Sequence, residues 1–216
     1  MSAEGVPTVF VVDDDEDVRN ALRWLIESVD LTVATYPSAE AFLAAYTPGQ
    51  PGCLVLDVRM PGMGGLGLLE HMRIEGMELP TIILTGHADV PIAVRAMKSG
   101  AIDFIEKPFT DQDLLDQIQR ALKEDAKQRS QQLKRAEVLS RVETLTPRER
   151  EVLRRVVQGQ ANKVISAELG ISERTVETHR KKIMDKMQAK SLAELIQMTL
   201  LSRMLKPSSL PHPGNP

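Results

Sequence analysis

Cysteine is almost absent from this chain: Cys53 is the only one in 216 residues. No internal disulfide can staple the fold, and the place of Cys53 inside an apolar run gives it the role of a small core residue. Long apolar runs are missing too. None approaches the roughly 20 residues that a membrane-spanning helix needs, and the opening Met1-Ser2-Ala3-Glu4-Gly5 has neither the basic start nor the apolar centre of a secretory signal. A cytoplasmic chain with no membrane partner is expected. Positive charge is scarce in one part only: residues 1–123 carry 9 Lys and Arg against 19 Asp and Glu, net −10, whereas residues 124–216 carry 18 against 11, net +7. The length suits one large or two small domains. The acidic front and basic back favour two with separate tasks, nucleic acid being the natural partner of the second.

The stretch Cys53-Leu54-Val55-Leu56-Asp57, followed by Pro61, Gly62, Gly64 and Gly65, reads as a buried strand that ends on a carboxylate and enters a loop. An isolated strand-end Asp is usually a turn cap. Here it has company. Thr8 to Val12 is a second apolar run, ending in Asp13-Asp14-Asp15-Glu16-Asp17, and Val18, Leu22, Leu25, Ile26 and Val29 then recur at helical spacing. Trp24 falls off that stripe and receives no role. Strands near Leu31–Thr35, Cys53–Asp57, Thr81–Leu84 and Ile102–Ile105 alternate with helices Ser38–Tyr46, Leu66–Ile74, Val90–Lys98 and one from Asp111 onward. Such alternation predicts an α/β doubly wound five-stranded parallel sheet, flavodoxin-like.

On that frame Asp13 and Asp14, Asp57, Thr85 and Lys107 all fall at the carboxyl ends of strands, the edge where open parallel sheets bind ligands. Clustered carboxylates repel one another and call for a cation. Mg²⁺, a hard ion that prefers oxygen and keeps several waters, fits. An acidic loop after the first strand that is merely solvated is the plainer alternative.

Four separated motifs carry a resemblance: Val-Val-Asp13-Asp14-Asp15, Leu-Asp57-Val-Arg-Met-Pro-Gly, Leu-Thr85-Gly-His, and Gly-Ala-Ile-Asp-Phe104-Ile-Glu-Lys107-Pro-Phe. Residues 7 to about 123 resemble the receiver domain (CheY-like fold) of two-component response regulators, most closely the FixJ type. The resemblance implies Asp57 as phosphoacceptor, Mg²⁺ held by Asp13, Asp14, Asp57 and the backbone carbonyl of Arg59, and Thr85 and Lys107 on the phosphoryl oxygens. It also implies a switch in which Thr85 moves and Phe104 turns inward. The face carrying Val90, Ile92, Arg95, Met97 and Ile102 would then become a phosphorylation-dependent homodimer surface. Two positions depart from the pattern: Gly64 and Gly67 stand where such receivers often carry a serine and an acidic residue, which loosens the helix start. Arg59 and His87, each two residues beyond a pocket residue, are candidates for gating water and setting the phosphoryl lifetime.

From Leu114 to Arg135 there is no Gly or Pro, and a thin apolar seam runs through Leu122, Ala126, Leu133 and Ala136, so a long linker helix is expected. The seam is too short to argue a coiled coil. Beyond it, Thr146-Pro147-Arg148-Glu149 is a capping box, Ser191-Leu-Ala-Glu194 repeats the device, and Gly170 followed by Ser172 marks a tight turn between helices. An all-α four-helix helix-turn-helix unit follows. Its helix from Ser172 to Met187 turns Val176, Ile183 and Met187 inward and Arg174, Glu177, Thr178, Lys181, Lys182 and Asp185 outward, with further bases at Lys163, Arg180, Lys186 and Lys190.

Leu145 to Leu201 resembles the LuxR-type DNA-binding domain through Leu-Thr-Pro-Arg-Glu-Arg-Glu-Val-Leu, Asn162-Lys163-Val-Ile-Ser and Thr175-Val-Glu-Thr-His179-Arg. It implies that Glu177, Thr178 and Lys181 meet base edges in the major groove, while Lys163, Thr175, His179, Lys182, Lys190 and Ser191 grip phosphates. Four regions are expected: a receiver over 1–123, a helical linker over 124–143, the DNA-binding unit over 144–205 and a disordered tail over 206–216, where four prolines break any apolar period. The whole reads as a response regulator transcription factor of the NarL/FixJ family. A sensor histidine kinase, promoter DNA and RNA polymerase are its implied partners, and the receiver self-phosphorylates and slowly self-dephosphorylates without being a turnover enzyme. The rivals are an aspartyl-phosphate-forming phosphohydrolase and a chain whose back half only binds protein.

Overall fold

The computed structural model describes residues 5–86 and 90–202. In chain order they form β1 (Thr8–Val12), α1 (Glu16–Glu27), β2 (Thr32–Tyr36), α2 (Ala39–Ala45), β3 (Gly52–Asp57), α3 (Gly64–Ile74), β4 (Thr81–Thr85), α4 (Val90–Lys98), β5 (Asp103–Glu106), α5 (Asp111–Glu143), α6 (Pro147–Val157), α7 (Asn162–Leu169), α8 (Glu173–Met187) and α9 (Leu192–Leu201). The chain divides after Arg129 into two compact units. The tail expected over 206–216 lies outside the described residues.

In the first unit the strands run parallel in the order β2-β1-β3-β4-β5. β1 and β3 are buried at every position, as strands covered by helices on both faces must be. Alternate side chains sort to opposite faces. Val9, Val11, Val55, Ile82 and Leu84 pack with Leu22 and Ile26 of α1 and Leu114 and Ile118 of α5. Phe10, Val12, Leu54, Leu56 and Ile83 pack with Phe42 of α2, Leu68 and Met72 of α3 and Ala96 of α4. Cys53 is fully enclosed among the first set, and burial pushes its thiol up to about 12, which leaves it protonated and inert. Trp24 stands 73% exposed on α1.

The long helix expected from Leu114 onward is α5, which runs unbroken for 33 residues, and both ends of the stretch 124–143 are held in folded cores. Asp125, 5% exposed, accepts from Gly52 N at 3.1 Å and from Arg129 Nε at 3.1 Å, and Arg129 also donates to the Gly49 carbonyl. This clasp ties α5 to the start of the strand that carries Asp57. At the far end Val138 and Val142 are buried in the core of the second unit, and Arg141 donates to the Met187 carbonyl at 3.1 Å. Of the expected seam, Leu122 packs into the first unit's core, whereas Leu133 is 59% exposed and Ala126 and Ala136 face solvent.

The second unit closes over Val152, Leu153, Val156, Ile165, Val176, Ile183, Met187, Leu195 and Met198. Thr146 and Glu149 form the capping box that opens α6, Gly170 ends α7 in the left-handed region at φ 64°, and Ser172 and Ser191 cap α8 and α9. The second capping box is incomplete: Glu194 accepts from Lys190 N at 2.8 Å, one residue before the cap. Buried Glu149 has a second task. It accepts from Lys186 Nζ at 2.7 Å, and Lys186 also donates to the Thr144 carbonyl at 3.1 Å, which fixes the end of α8 to the start of α6.

Truncating Asp125 to Ala leaves the Gly52 amide and the Arg129 guanidinium without their acceptor, a loss of about 1–3 kcal/mol. Urea unfolding followed by the near-ultraviolet signal of the first unit should register it. Burial raises the Glu149 carboxyl, but the bonds from Lys186 and Thr146 outweigh it and hold the group below its ordinary value. A carboxyl depressed in the folded state contributes stability above its unfolded value near 4.5, lost as pH falls through the lower folded value. Hydrogen exchange of α6 and α8 amides should therefore accelerate as pH drops below about 4.5 beyond the intrinsic chemical trend, and Lys186→Met should flatten that response.

Candidate functional site

The strand order places β1 beside β3, with connections leaving to opposite sides, so a crevice opens over their carboxyl ends. Asp13 follows β1 and Asp57 ends β3, and both are nearly inaccessible, 3% and 7% exposed. Lys107, following β5, reaches between them: its Nζ donates to Asp13 Oδ2 at 3.0 Å and to Asp57 Oδ1 at 2.9 Å. The root of Lys107 is held by the strand ladder, its N–H donating to the Thr85 carbonyl at 2.7 Å. Thr85 is itself buried at the end of β4. The loop after β3 supplies a further donor to the phosphoacceptor candidate, Arg59 N to Asp57 Oδ2 at 2.6 Å. Close approach is needed here, since a Cβ at Gly65 would collide with the Asp57 carbonyl.

The charges act on one another. Burial pushes the Asp13 carboxyl up, and the nearby Asp57 adds to this, against the bonds from Asp15 N and Lys107. Burial alone would pull the Lys107 ammonium down; its bonds and attraction to Asp57 and Asp13 win, and it stands above its ordinary value. The site is therefore a pair of carboxylates neutralised in part by one firmly protonated amine.

Asp14 is exposed rather than drawn into this pair, and among the described residues no three acidic, His or Cys side chains are gathered closely enough to grip an ion. The Arg59 side chain points to solvent. Phe104 lies half-buried against the core beside Ile83. His87 lies outside the described residues, as does the side chain of Val90. Of the other dimer-face candidates, Arg95, Met97 and Ile102 are exposed, whereas Ile92 is drawn into the core. Arg19 escaped notice in the sequence: from α1 it donates to the Asp13 carbonyl at 2.8 Å, a contact six residues apart that no motif advertised.

In the second unit Lys163, Glu177, Thr178, Lys181, Lys182 and Lys190 are exposed, with Thr175 and His179 half-buried. The Thr175 and Ser172 hydroxyls pair at 2.8 Å, and Ser191 is occupied in capping α9. Two bases counted toward a DNA surface are engaged within the fold. Lys186 binds Glu149, and Arg180 donates to Asn162 Oδ1 at 3.2 Å. Among the described residues no helix is long and apolar enough to cross a membrane.

Comparison with known proteins agrees with both units. Residues 9–119 match the response regulator receiver domain and residues 143–199 the bacterial regulatory proteins of the luxR family. The transcriptional regulatory protein FixJ of Azorhizobium caulinodans is 49% identical over 92% of this chain and 94% of its own length. Among solved structures, the response regulator StyR is 44% identical, covers 91% of this chain and 99% of its own, and superposes with a TM-score of 0.80. Full-length FixJ from B. japonicum is 41% identical over 93% and 99%, with a TM-score of 0.57. A receiver implies a sensor kinase as partner, and a luxR-type domain implies DNA; a turnover phosphohydrolase finds no support among these relatives. The chain belongs to the NarL/FixJ family of response regulators, transcription factors that join a receiver to a LuxR-type helix-turn-helix.

Proposed function

We propose that Asp57 accepts a phosphoryl group from a partner histidine kinase, and that this controls dimerisation and promoter binding by the second unit. The observation that supports the reading best is the buried Asp13–Lys107–Asp57 cluster at the strand ends. In the transfer an Asp57 oxygen attacks phosphorus in line, the P–O bond forms as the P–N bond breaks, and the imidazole leaves and regains a proton from solvent. The equatorial oxygens gather charge, and Lys107 together with the hydroxyl of Thr85 would bind them. Receiver domains generally use Mg²⁺ for this step, where it supplies neutralisation of the phosphoryl oxygens. Asp13 and Asp57, with Asp14 next in the chain and the Arg59 carbonyl, would hold such an ion, a hard cation that retains waters and so needs few carboxylates in direct contact.

Thr85 then closes on the new acyl phosphate, and Phe104, half-buried beside Ile83, turns further inward. The change reshapes the α4–β5 face, where Val94, Met97 and Ile102 leave apolar surface exposed. Two second units brought together present paired α8 helices to half-sites. Glu177, Thr178 and Lys181 read base edges, and Lys163, Thr175, His179, Lys182 and Lys190 hold phosphates. A cytoplasmic location and contact with RNA polymerase follow from the same reading.

Incubation with phosphoramidate and Mg²⁺ should add one phosphoryl mass to the intact chain, lost in Asp57→Asn, and size-exclusion chromatography should show a monomer converting to a dimer. An unchanged mass, or a monomer in both states, contradicts the reading. On the DNA side, Lys181→Ala should cost about 1–3 kcal/mol on the preferred site and relax its sequence preference. Lys182→Ala should weaken all sequences alike and shrink the salt slope by about 0.9. Fluorescence anisotropy on duplexes across a salt series separates these outcomes.

A further inference from the structure

The loop that leaves Asp57 runs through Val58, Arg59, Met60, Pro61, Gly62 and Met63 into an α3 that opens on Gly64 and Gly65. Glycine in such numbers leaves a backbone loose, and α3 has no side-chain cap at its start. The loop is nonetheless pinned at four places. Two pins are local, Arg59 N to Asp57 Oδ2 at 2.6 Å and Gly65 N to the Val58 carbonyl at 3.0 Å. A third ties its first residue to β4, Val58 N donating to the Leu84 carbonyl at 3.1 Å. The fourth secures its far end from another element: Met63 N donates to Oε1 of Glu40, on the first turn of α2, at 3.1 Å.

Glu40 is well prepared for this contact. Hydrogen bonds from its own N–H, from Ser38 and from Met63 N hold its carboxyl below the ordinary value, so it is ionised at neutral pH. Gly62 has φ +78°, and a Cβ built there would lie 2.9 Å from Glu40 Oε1, so a side chain at that position would make the carboxylate shift. An exposed hydrogen bond of this kind adds little to global stability. Its leverage is on the loop, because a site that is formed only part of the time binds in proportion to the fraction formed.

We infer that Glu40 is a positioning residue of the phosphoacceptor site: by gripping Met63 N it holds the β3–α3 loop from which the Arg59 carbonyl would reach Mg²⁺ beside Asp57. Glu40 touches neither the phosphoryl group nor the ion. The inference rests on the proposed function of this site and adds to it a residue outside the loop.

The test is calorimetric titration of the full-length unphosphorylated protein with Mg²⁺, paired with phosphoramidate labelling at saturating Mg²⁺ read by mass. Glu40→Ala should weaken Mg²⁺ binding about five-fold, while the saturated labelling rate stays within about two-fold. Glu40→Gln, whose amide oxygen still accepts from Met63 N, should stay within about two-fold on both counts. Gly62→Ala, which displaces the carboxylate, should follow Glu40→Ala, and exchange of the Met63 amide should quicken in both. Unaltered Mg²⁺ affinity in Glu40→Ala overturns the inference, as does Glu40→Gln failing equally, which would make the effect one of charge alone. A native protein that binds no Mg²⁺ and takes no phosphoryl group overturns the proposed function and this inference with it. A native protein that does both, matched by Glu40→Ala, overturns this inference only.

Discussion

Two buried carboxylates held apart from water need a cation between them, and the Lys107 ammonium takes that place. Much of the first unit follows from delivering three residues, far apart in the chain, to one point. A parallel sheet does this economically, since all strands end on the same edge, and the order that sets β1 beside β3 opens the crevice where Asp13 and Asp57 face each other. β5 lies two strands from Asp57, which suits the long reach of lysine. The arrangement is balanced rather than saturated: one amine faces two carboxylates, which leaves an excess of negative charge at the strand ends.

What the sequence made legible was whatever repeats or ends abruptly. Apolar runs closing on Asp57, on Asp13 and before Lys107 located the strands to within a residue or so and placed the acidic edge. Caps at Thr146, Ser172 and Ser191 and the stop at Gly170 located the second unit's helices. Contacts between polar residues distant in sequence were not legible. Glu40, Arg19 and Asp125 look like solvated helix residues in any local window, and only the fold shows that each grips a backbone group of another segment. The same blindness inflated the basic surface of α8, for charge counting cannot tell Lys181, which is free in solvent, from Lys186, which is bound to a buried carboxylate.

The opposite charges of the two halves acquire a physical sense on this fold. Negative surface on the first unit repels a DNA backbone, and exposed bases on the second attract it, so the chain has one end suited to the polyanion. Several bases of the second unit are meanwhile engaged in holding it together, Arg141 to Met187, Arg155 to Glu168 and Lys186 to Glu149. Net charge therefore overstates the free positive charge of the second unit.

The helix shared by the two units is held in the same selective way. Its early turns are fixed by Leu114, Ile118 and the Asp125–Arg129 clasp, and its last turns by Val138, Val142 and Arg141. Residues 130–137 between these anchors are exposed throughout. An isolated helix of about two turns is not stable in water, because nucleation costs more than so few hydrogen bonds return. The helical state of that segment is thus inherited from its ends, and the strength of either anchor bears directly on the continuity of α5.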